Sequence, residues 1–196
     1  MKLKQGQLLP LLIHTIVLVA FVIMYLVNSN HEFLGYVVVI LIVMALILYT
    51  NHKIDYPLGL IWGLSIWSML HMAGGGIVIN GEVLYSKIIL DIIGEPYNIV
   101  RYDQLVHIIG FGTATYLMYT LISPLIKPKN NHRVPLLIVI TLAGLGAGSI
   151  NEIIEFFMTV FAPQTEVGGY INNSLDQVAN LVGALLAGIA IVYKKK

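Results

Sequence analysis

The chain has 196 residues, of which 58% are hydrophobic and 11% are charged, and its mean hydropathy is +0.85. Soluble domains carry roughly 25% charged residues, so this composition excludes an ordinary soluble protein and indicates an integral membrane protein. The net charge of +1 comes without a basic tract, which argues against nucleic-acid binding. The absence of cysteine excludes disulfides, iron–sulfur clusters and thiolate metal sites.

The N-terminal segment MKLKQGQLLPLLIHTIVLVAFVIMYLV begins with basic residues, as a signal peptide does. Its apolar run of about 20 residues is too long for a signal peptide and has no small-residue cleavage site after it, so it predicts a first membrane span. Further apolar runs predict an all-α, polytopic transmembrane helix bundle of six spans in a single membrane domain, 1–196. The spans are expected near 8–28, 33–50, 57–79, 104–126, 134–162 and 174–193.

The connection between the third and fourth spans is longer than the others. Its segment VLYSKIILDII predicts a short amphipathic stretch near 83–93 that lies at the membrane interface. The first two predicted spans contain no acidic residue and a single histidine, His14. We therefore expect spans three to six to form the functional bundle and the first two to be peripheral.

The distribution of lysine and arginine predicts the orientation, since cytoplasmic loops carry an excess of basic residues. With six spans, two basic residues, Lys87 and Arg101, fall on one side of the membrane. Nine fall on the other side: Lys2, Lys4, Lys53, Lys127, Lys129, Arg133, Lys194, Lys195 and Lys196. We therefore expect both termini to be cytoplasmic, the third connection to be extracytoplasmic, and the protein to lie in the cell (plasma or inner) membrane.

Polar residues interrupt four of the predicted spans at a similar depth, in the half expected to face outward. On each of three spans they lie three or four residues apart, which places them on one helical face. They are His71 on the third span, Asp103 and His107 on the fourth, Asn151, Glu152 and Glu155 on the fifth, and Asp176 and Asn180 on the sixth. Ionisable groups inside a bilayer are costly and indicate function by default. Small residues continue the same faces toward the cytoplasmic side, which favours close helix packing there.

Histidine and carboxylate ligands suit a divalent metal ion, which can activate water at neutral pH. The candidate metal ligands are His71, Asp103, His107, Glu152, Glu155 and Asp176, and the candidate catalytic residues are Asp103, His107, Glu152 and Glu155. Asn151 and Asn180 complete the predicted polar pocket. Without a metal, four neighbouring carboxylates cannot all be ionised, so shared protons are the alternative, for acid–base catalysis or a proton relay. Structural alternatives are helix capping by Asp103 and Asp176 and a packing role for His71.

The motifs YDQLVHIIGFG, NEIIEFF and DQVANLVGALLAG resemble those of the YjdF-like membrane proteins of bacteria and archaea. LHMAGGG is similar to that family's histidine–glycine segment in the preceding helix. The order of acidic and histidine residues is also similar, more distantly, to VanZ-like proteins, although Ile154 and Glu155 stand where those usually have glutamate followed by glutamine. The resemblance supports the site residues Asp103, His107, Glu152, Glu155, Asp176 and Asn180 and implies no particular reaction.

These patterns favour an enzyme or binding protein with a pocket in the outer half of the bilayer, acting on a lipid or lipid-linked envelope molecule. Such a substrate reaches that depth by lateral diffusion. The rival interpretations are a small transporter coupled to protons or cations and a non-catalytic membrane scaffold. The cytoplasmic halves of the last three spans contain no matching polar residues, which counts against transport.

Overall fold

The computed structural model describes residues 3–126, 132–161 and 169–194. Six helices in these ranges are long and apolar enough to cross a membrane, which confirms the predicted all-α bundle. They are α1 (Leu8–Val27), α2 (His31–Thr50), α3 (Leu58–Gly76), α4 (Tyr102–Ile122), α5 (Arg133–Phe161) and α6 (Tyr170–Tyr193).

Helices α2 and α6 begin before the apolar runs that predicted them, and in each the added turn contains polar residues. The side chain of Asn30 caps α2 by accepting a hydrogen bond from the backbone N–H of Phe33 at 3.1 Å, so the helix includes Glu32, which is 7% exposed. The expectation that the first two spans lack acidic residues is therefore wrong. Likewise, α6 begins at Tyr170 and not near residue 174, which adds a polar first turn to the helix.

Helices α4, α5 and α6 pack against one another, and α3 joins them to α1. The closest approach is between α4 and α6, where a Cβ atom added to Gly183 would lie 2.2 Å from the carbonyl oxygen of Ile108. Small residues permit such backbone contact between membrane helices. The side chains of His107 and Asn180, within one turn of this contact, are thereby brought together across the α4–α6 interface.

The connection between α3 and α4 begins with a β-hairpin of β1 (Val78–Ile79) and β2 (Glu82–Val83). The turn residues Asn80 and Gly81 both have positive φ, 54° and 83°, as a two-residue hairpin loop requires. We call this side of the bundle the hairpin end; α4 and α6 begin there and α5 ends there.

A 3-10 turn at Leu84–Ser86 follows the hairpin and directs Tyr85 inward, where it is 3% exposed. The next part of the predicted interfacial segment is not helical, and it exposes Ile88, Ile89, Leu90, Ile92 and Ile93. Backbone pairing of Ile88 with Arg101 then returns the chain to the start of α4. The connection thus presents apolar side chains outward while one tyrosine contacts the bundle.

Candidate functional site: a buried acid–histidine cluster

Five ionisable residues from α4, α5 and α6 meet inside the half of the bundle nearest the hairpin end. We call them the acid–histidine cluster; they are Asp103, His107, Glu152, Glu155 and Asp176, each at most 6% exposed. The opposite face of α5 presents Ile153 and Phe156, which are 55% and 59% exposed. This helix therefore turns its carboxylates into the protein and its large apolar side chains outward, as expected in a bilayer.

His107 lies at the centre of the cluster. Its Nε2 atom is 3.4 Å from Oδ1 of Asp103, one turn earlier on the same helix, and 3.8 Å from Oε1 of Glu155 on α5. Its Nδ1 atom is 2.9 Å from Oδ1 of Asn180 and 3.3 Å from Oε1 of Glu152. Each ring nitrogen thus faces a different pair of neighbours.

The amide of Asn180 assigns the proton on this ring. Asn180 donates from Nδ2 to Oε1 of Glu152 at 3.2 Å, so its Oδ1 atom is the acceptor that faces His107 Nδ1. An amide oxygen cannot donate, and therefore Nδ1 of His107 donates the hydrogen bond. In the neutral ring the lone pair is then on Nε2 and points toward carboxylates of Asp103 and Glu155. That lone pair can hold either a proton or a metal ion.

Three further asparagines donate to the cluster carboxylates. Asn172 donates to Oδ2 of Asp103 at 3.1 Å and also to Asp176, and Asn173 donates to Oε2 of Glu152 at 2.9 Å. Asn151, identified from the sequence, donates to Oε1 of Glu155 at 2.6 Å. Sequence analysis missed Asn172 and Asn173, although they precede Asp176 by four and three residues, which is the helical spacing of a shared face.

The cluster is rich in negative charge. In the described ranges, no lysine or arginine nitrogen lies within 4.0 Å of its carboxylates. The Oδ1 atom of Asp176 is buried without a hydrogen-bond partner among the described residues, although Asp176 is only 1% exposed. Buried charges must be paired, protonated or bound to metal, so the arrangement requires shared protons or a cation.

Two groups within the cluster have the spacing of metal ligands. Asp103, His107 and Asp176 form one group, and His107, Glu152 and Glu155 form the other; in each, one ligand atom per residue lies within 4.8 Å of the others. Mixed oxygen and imidazole ligands suit zinc, manganese or iron. The donation from His107 Nδ1 to Asn180 would orient the ring for metal binding through Nε2, as such outer hydrogen bonds do in metalloproteins.

His71, the remaining candidate ligand, belongs to neither group among the described residues. It lies within an aromatic enclosure: its ring centroid is 5.1 Å from that of Tyr36, 5.7 Å from that of Trp67 and 6.0 Å from that of Phe33. Nδ1 of His71 also forms a hydrogen bond with the hydroxyl of Tyr85.

Burial, followed by the negative charges of Asp103 and Glu155, raises the pKa of Tyr85 well above its usual value. The phenol is therefore protonated where its hydroxyl forms the hydrogen bond with Nδ1 of His71. No local sequence pattern predicts this contact, because it joins α3 to the connection that follows it.

The structure corrects the capping alternative for the two aspartates. The N-cap of α4 is Arg101, whose backbone N–H donates to the side chain of Gln104 at 3.3 Å. The N-cap of α6 is Gly169, and Asp176 lies well inside that helix. Both aspartates thus contribute their carboxylates to the cluster and neither serves as a helix cap.

Six candidate membrane spans and a buried acid–histidine cluster indicate a polytopic integral membrane protein with buried acidic and histidine groups. The model of a family described as predicted membrane protein (DUF2238) matches residues 9–196, and the chain belongs to this family. Comparison with curated proteins and with solved structures gives no significant match.

Proposed function

We propose that the acid–histidine cluster holds a divalent metal ion and that the protein uses it to bind or transform a lipid or lipid-linked envelope molecule. The cation is coordinated by Nε2 of His107 together with Asp103 and Asp176, and Glu155 is close enough to Nε2 to be a further ligand. Glu152, whose oxygens accept from Asn173 and Asn180, instead holds the surrounding amides in place.

The observation that supports this proposal most directly is the free oxygen of Asp176. Its Oδ1 atom is buried without a hydrogen-bond partner among the described residues, and Asp176 belongs to a ligand-spaced group with His107 and a second carboxylate, Asp103. An unpaired carboxylate oxygen in a low-dielectric interior lowers the stability of the folded state. A bound cation offsets this loss for Asp103, His107 and Asp176 together. A metal held there would supply an activated water at neutral pH, and Glu155, if it is not itself a ligand, would be placed to accept the proton.

The proposed substrate class follows from location. The cluster lies in the half of the bundle nearest the hairpin end, and under the proposed orientation that half faces the outer leaflet. An amphiphile can reach this depth from the bilayer, whereas a soluble substrate cannot do so easily. Transport is less well supported, because 110–122, 134–147 and 181–193 contain no acidic or basic residue to continue a path. Kinship with YjdF-like proteins, suggested by the shared motifs, is part of the proposal.

Metal addition to purified protein tests the proposal. A bound cation stabilises the folded state by about 2.7 kcal/mol when its free concentration is roughly 100 times Kd. Chelator should therefore lower the thermal midpoint, and Mn²⁺ or Zn²⁺ should restore it. The double variant Asp103→Asn, Asp176→Asn should lose this response, because amides are poor ligands for these cations. Without metal it should be at least as stable as chelated wild type, because two repelling carboxylates are gone.

Asp91→Asn is the matched control, since Asp91 is an exposed acid in the connection at the same end of the bundle. It should retain the full metal response. Two results together would contradict metal binding. Elemental analysis would find no stoichiometric metal in the purified protein, and the thermal midpoint would respond neither to chelator nor to added metal. Those results would favour a pocket whose carboxylates share protons.

A further inference from the structure

A second polar feature lies directly above the acid–histidine cluster at the hairpin end. It is a cavity of about 440 Å³ whose lining includes Arg101, Gln104, Tyr97, Tyr170 and Asn172. Asn172 is also the residue whose amide donates to Asp103 at 3.1 Å and to Asp176. Asn172 therefore links the cavity to the cluster.

Arg101 has no protein partner for its charge in the described part of the chain. Its Nε atom is buried and makes no hydrogen bond there, and no carboxylate oxygen lies within 4.0 Å of its guanidinium. Lys87, the other basic residue in the same connection, is already paired with Glu82 at 2.6 Å. A buried guanidinium N–H left without an acceptor costs free energy, so an anion bound in this cavity would stabilise the half-buried Arg101 side chain.

The backbone around Arg101 is held firmly. Oε1 of Gln104 accepts from the backbone N–H groups of Val100 and Arg101, at 2.8 Å and 3.3 Å. Tyr102 donates to the carbonyl of Lys87 at 2.9 Å. Since Gln104 is already engaged with the backbone, its side-chain oxygen is not free to accept from the guanidinium. The backbone of Arg101 is therefore held at the start of α4, and its guanidinium has no carboxylate partner among the described residues; the helix dipole also favours an anion there.

We propose that this cavity binds the phosphate group of the ligand that reaches the acid–histidine cluster, with Arg101 as the anion-binding residue. The inference rests on the proposed function, because four nearby carboxylates would repel a phosphate unless a cation compensates them. A guanidinium binds phosphate through two parallel hydrogen bonds, which gives both affinity and orientation. The substrate class is thereby narrowed to phosphate-bearing molecules, with a phosphate held between Arg101 and the metal.

The competing interpretation is that Arg101 is a general interfacial anchor that contacts any lipid phosphate, as basic residues at span ends do. An anchor has no thermodynamic link to the cluster. A phosphate shared with the metal does have one: Mn²⁺ must tighten phosphate binding, and phosphate must tighten Mn²⁺ binding by the same factor.

The test uses full-length protein purified in a maltoside detergent, which contains no phosphate. The probes are inorganic phosphate and dihexanoyl phosphatidic acid, each titrated with and without Mn²⁺, and the Mn²⁺ response is recorded for every sample. Arg101→Gln should weaken binding of the recognised probe by about tenfold or more, as expected for loss of a charged hydrogen-bond partner. Lys87→Gln, which removes a paired cation at the same end, should leave binding unchanged.

If only the phosphatidic acid binds, the recognised phosphate belongs to a lipid headgroup. If both probes bind equally, the site recognises free phosphate. Either result supports the anion site, provided that binding requires Arg101. Any of three results would overturn the anion site. Neither probe binds, or Arg101→Gln and Lys87→Gln weaken binding equally, or a protein that binds Mn²⁺ shows no coupling between Mn²⁺ and the probe. If wild type shows Arg101-dependent phosphate binding but no Mn²⁺ response, the proposed metal function fails and the anion site stands. Should Arg101→Gln not fold, Arg101→Lys provides the measurement, since it keeps the charge but loses the two-pronged contact.

Discussion

At the scale of single residues, Asn180 determines how His107 can act. The amide oxygen accepts from Nδ1 of the ring and the amide nitrogen donates to Glu152, so both ends of this side chain are used. Asn180 is completely buried, so both contacts are shielded from solvent. The lone pair on Nε2 of His107 is thereby directed toward Asp103 and Glu155 by a residue that carries no charge itself.

The substitution Asn180→Asp tests this assignment with a change of nearly equal shape. The new carboxylate still accepts from His107, but it offers Glu152 a negative charge in place of a donor. We expect a loss of about 1–3 kcal/mol in the free energy of unfolding, because a buried acceptor loses its partner. The thermal midpoint of the purified variant, measured in chelator, provides the comparison.

Asn98→Asp is the control, because Nδ2 of Asn98 donates to Oε1 of Glu95 at 2.8 Å in the connection near the hairpin end. Glu95 is exposed, so water screens its charge, and the expected loss is smaller than that of Asn180→Asp although Asn98 is only 8% exposed. Equal losses in the two variants would mean that the Asn180 contacts have no special role and that the ring assignment lacks support.

The sequence identified the cluster residues because ionisable side chains are conspicuous inside apolar runs. It did not identify Asn172 and Asn173, because a search by hydropathy begins a span where polar residues stop, and the first turn of α6 is polar. The aromatic enclosure of His71 was equally inaccessible, since Tyr36 and Tyr85 come from elements whose packing no local pattern encodes. Helical spacing finds residues on one face, but it does not reveal which other elements cover that face.

At the scale of helices, the cluster depends on the contact between α4 and α6. At Gly183 the obstacle to a side chain is the backbone of Ile108, which cannot move away as a flexible side chain can. Gly148 on α5 provides a second close contact, since a Cβ there would lie 2.7 Å from Nδ2 of Asn180. The small residues are thus the reason that three helices can bring His107, Glu152 and Asn180 within hydrogen-bonding distance.

Gly183→Ala should separate α4 from α6 and weaken the site without altering any of its polar residues. We expect a lower thermal midpoint and a reduced metal response, because overpacking typically costs about 1–3 kcal/mol. Gly146→Ala on α5 is the control, since a Cβ there meets nothing within 4 Å. Retention of full metal affinity in Gly183→Ala would show that the α4–α6 contact does not hold the cluster in position.

The connection between α3 and α4 shows a different limit of sequence interpretation. The dipeptide Asn80-Gly81 between apolar residues is a strong signal for a two-residue hairpin. The hairpin was not predicted, because the amphipathic pattern of the following residues dominates this connection. The interfacial segment itself adopts a 3-10 turn and irregular backbone. The composition of this segment predicted that its apolar side chains lie at an interface. Its backbone conformation instead depends on the pairing of Ile88 with Arg101, thirteen residues later.

At the scale of the whole molecule, the orientation in the membrane decides which leaflet supplies the ligand. An even number of helices places both termini at one end, and Lys4 near the N-terminus pairs with Asp55 in the connection between α2 and α3 at 2.6 Å. Nine of eleven basic residues belong to this end by sequence, which favours a cytoplasmic location for it. With this predicted orientation, the acid–histidine cluster would lie in the outer half of the bilayer.

Cysteine labelling tests this orientation cleanly, because the native chain contains no cysteine. Asp91→Cys places a thiol on an exposed residue of the connection near the hairpin end, and His52→Cys places one on an exposed residue between α2 and α3. An impermeant thiol reagent should label position 91 in intact cells and position 52 only after the membrane is opened. Neither change alters the count of lysine and arginine, so the charges that determine insertion stay as they are. The reverse labelling pattern would place the cluster in the cytoplasmic half, and its lipid or phosphate ligand would then have to come from the inner leaflet or the cytoplasm.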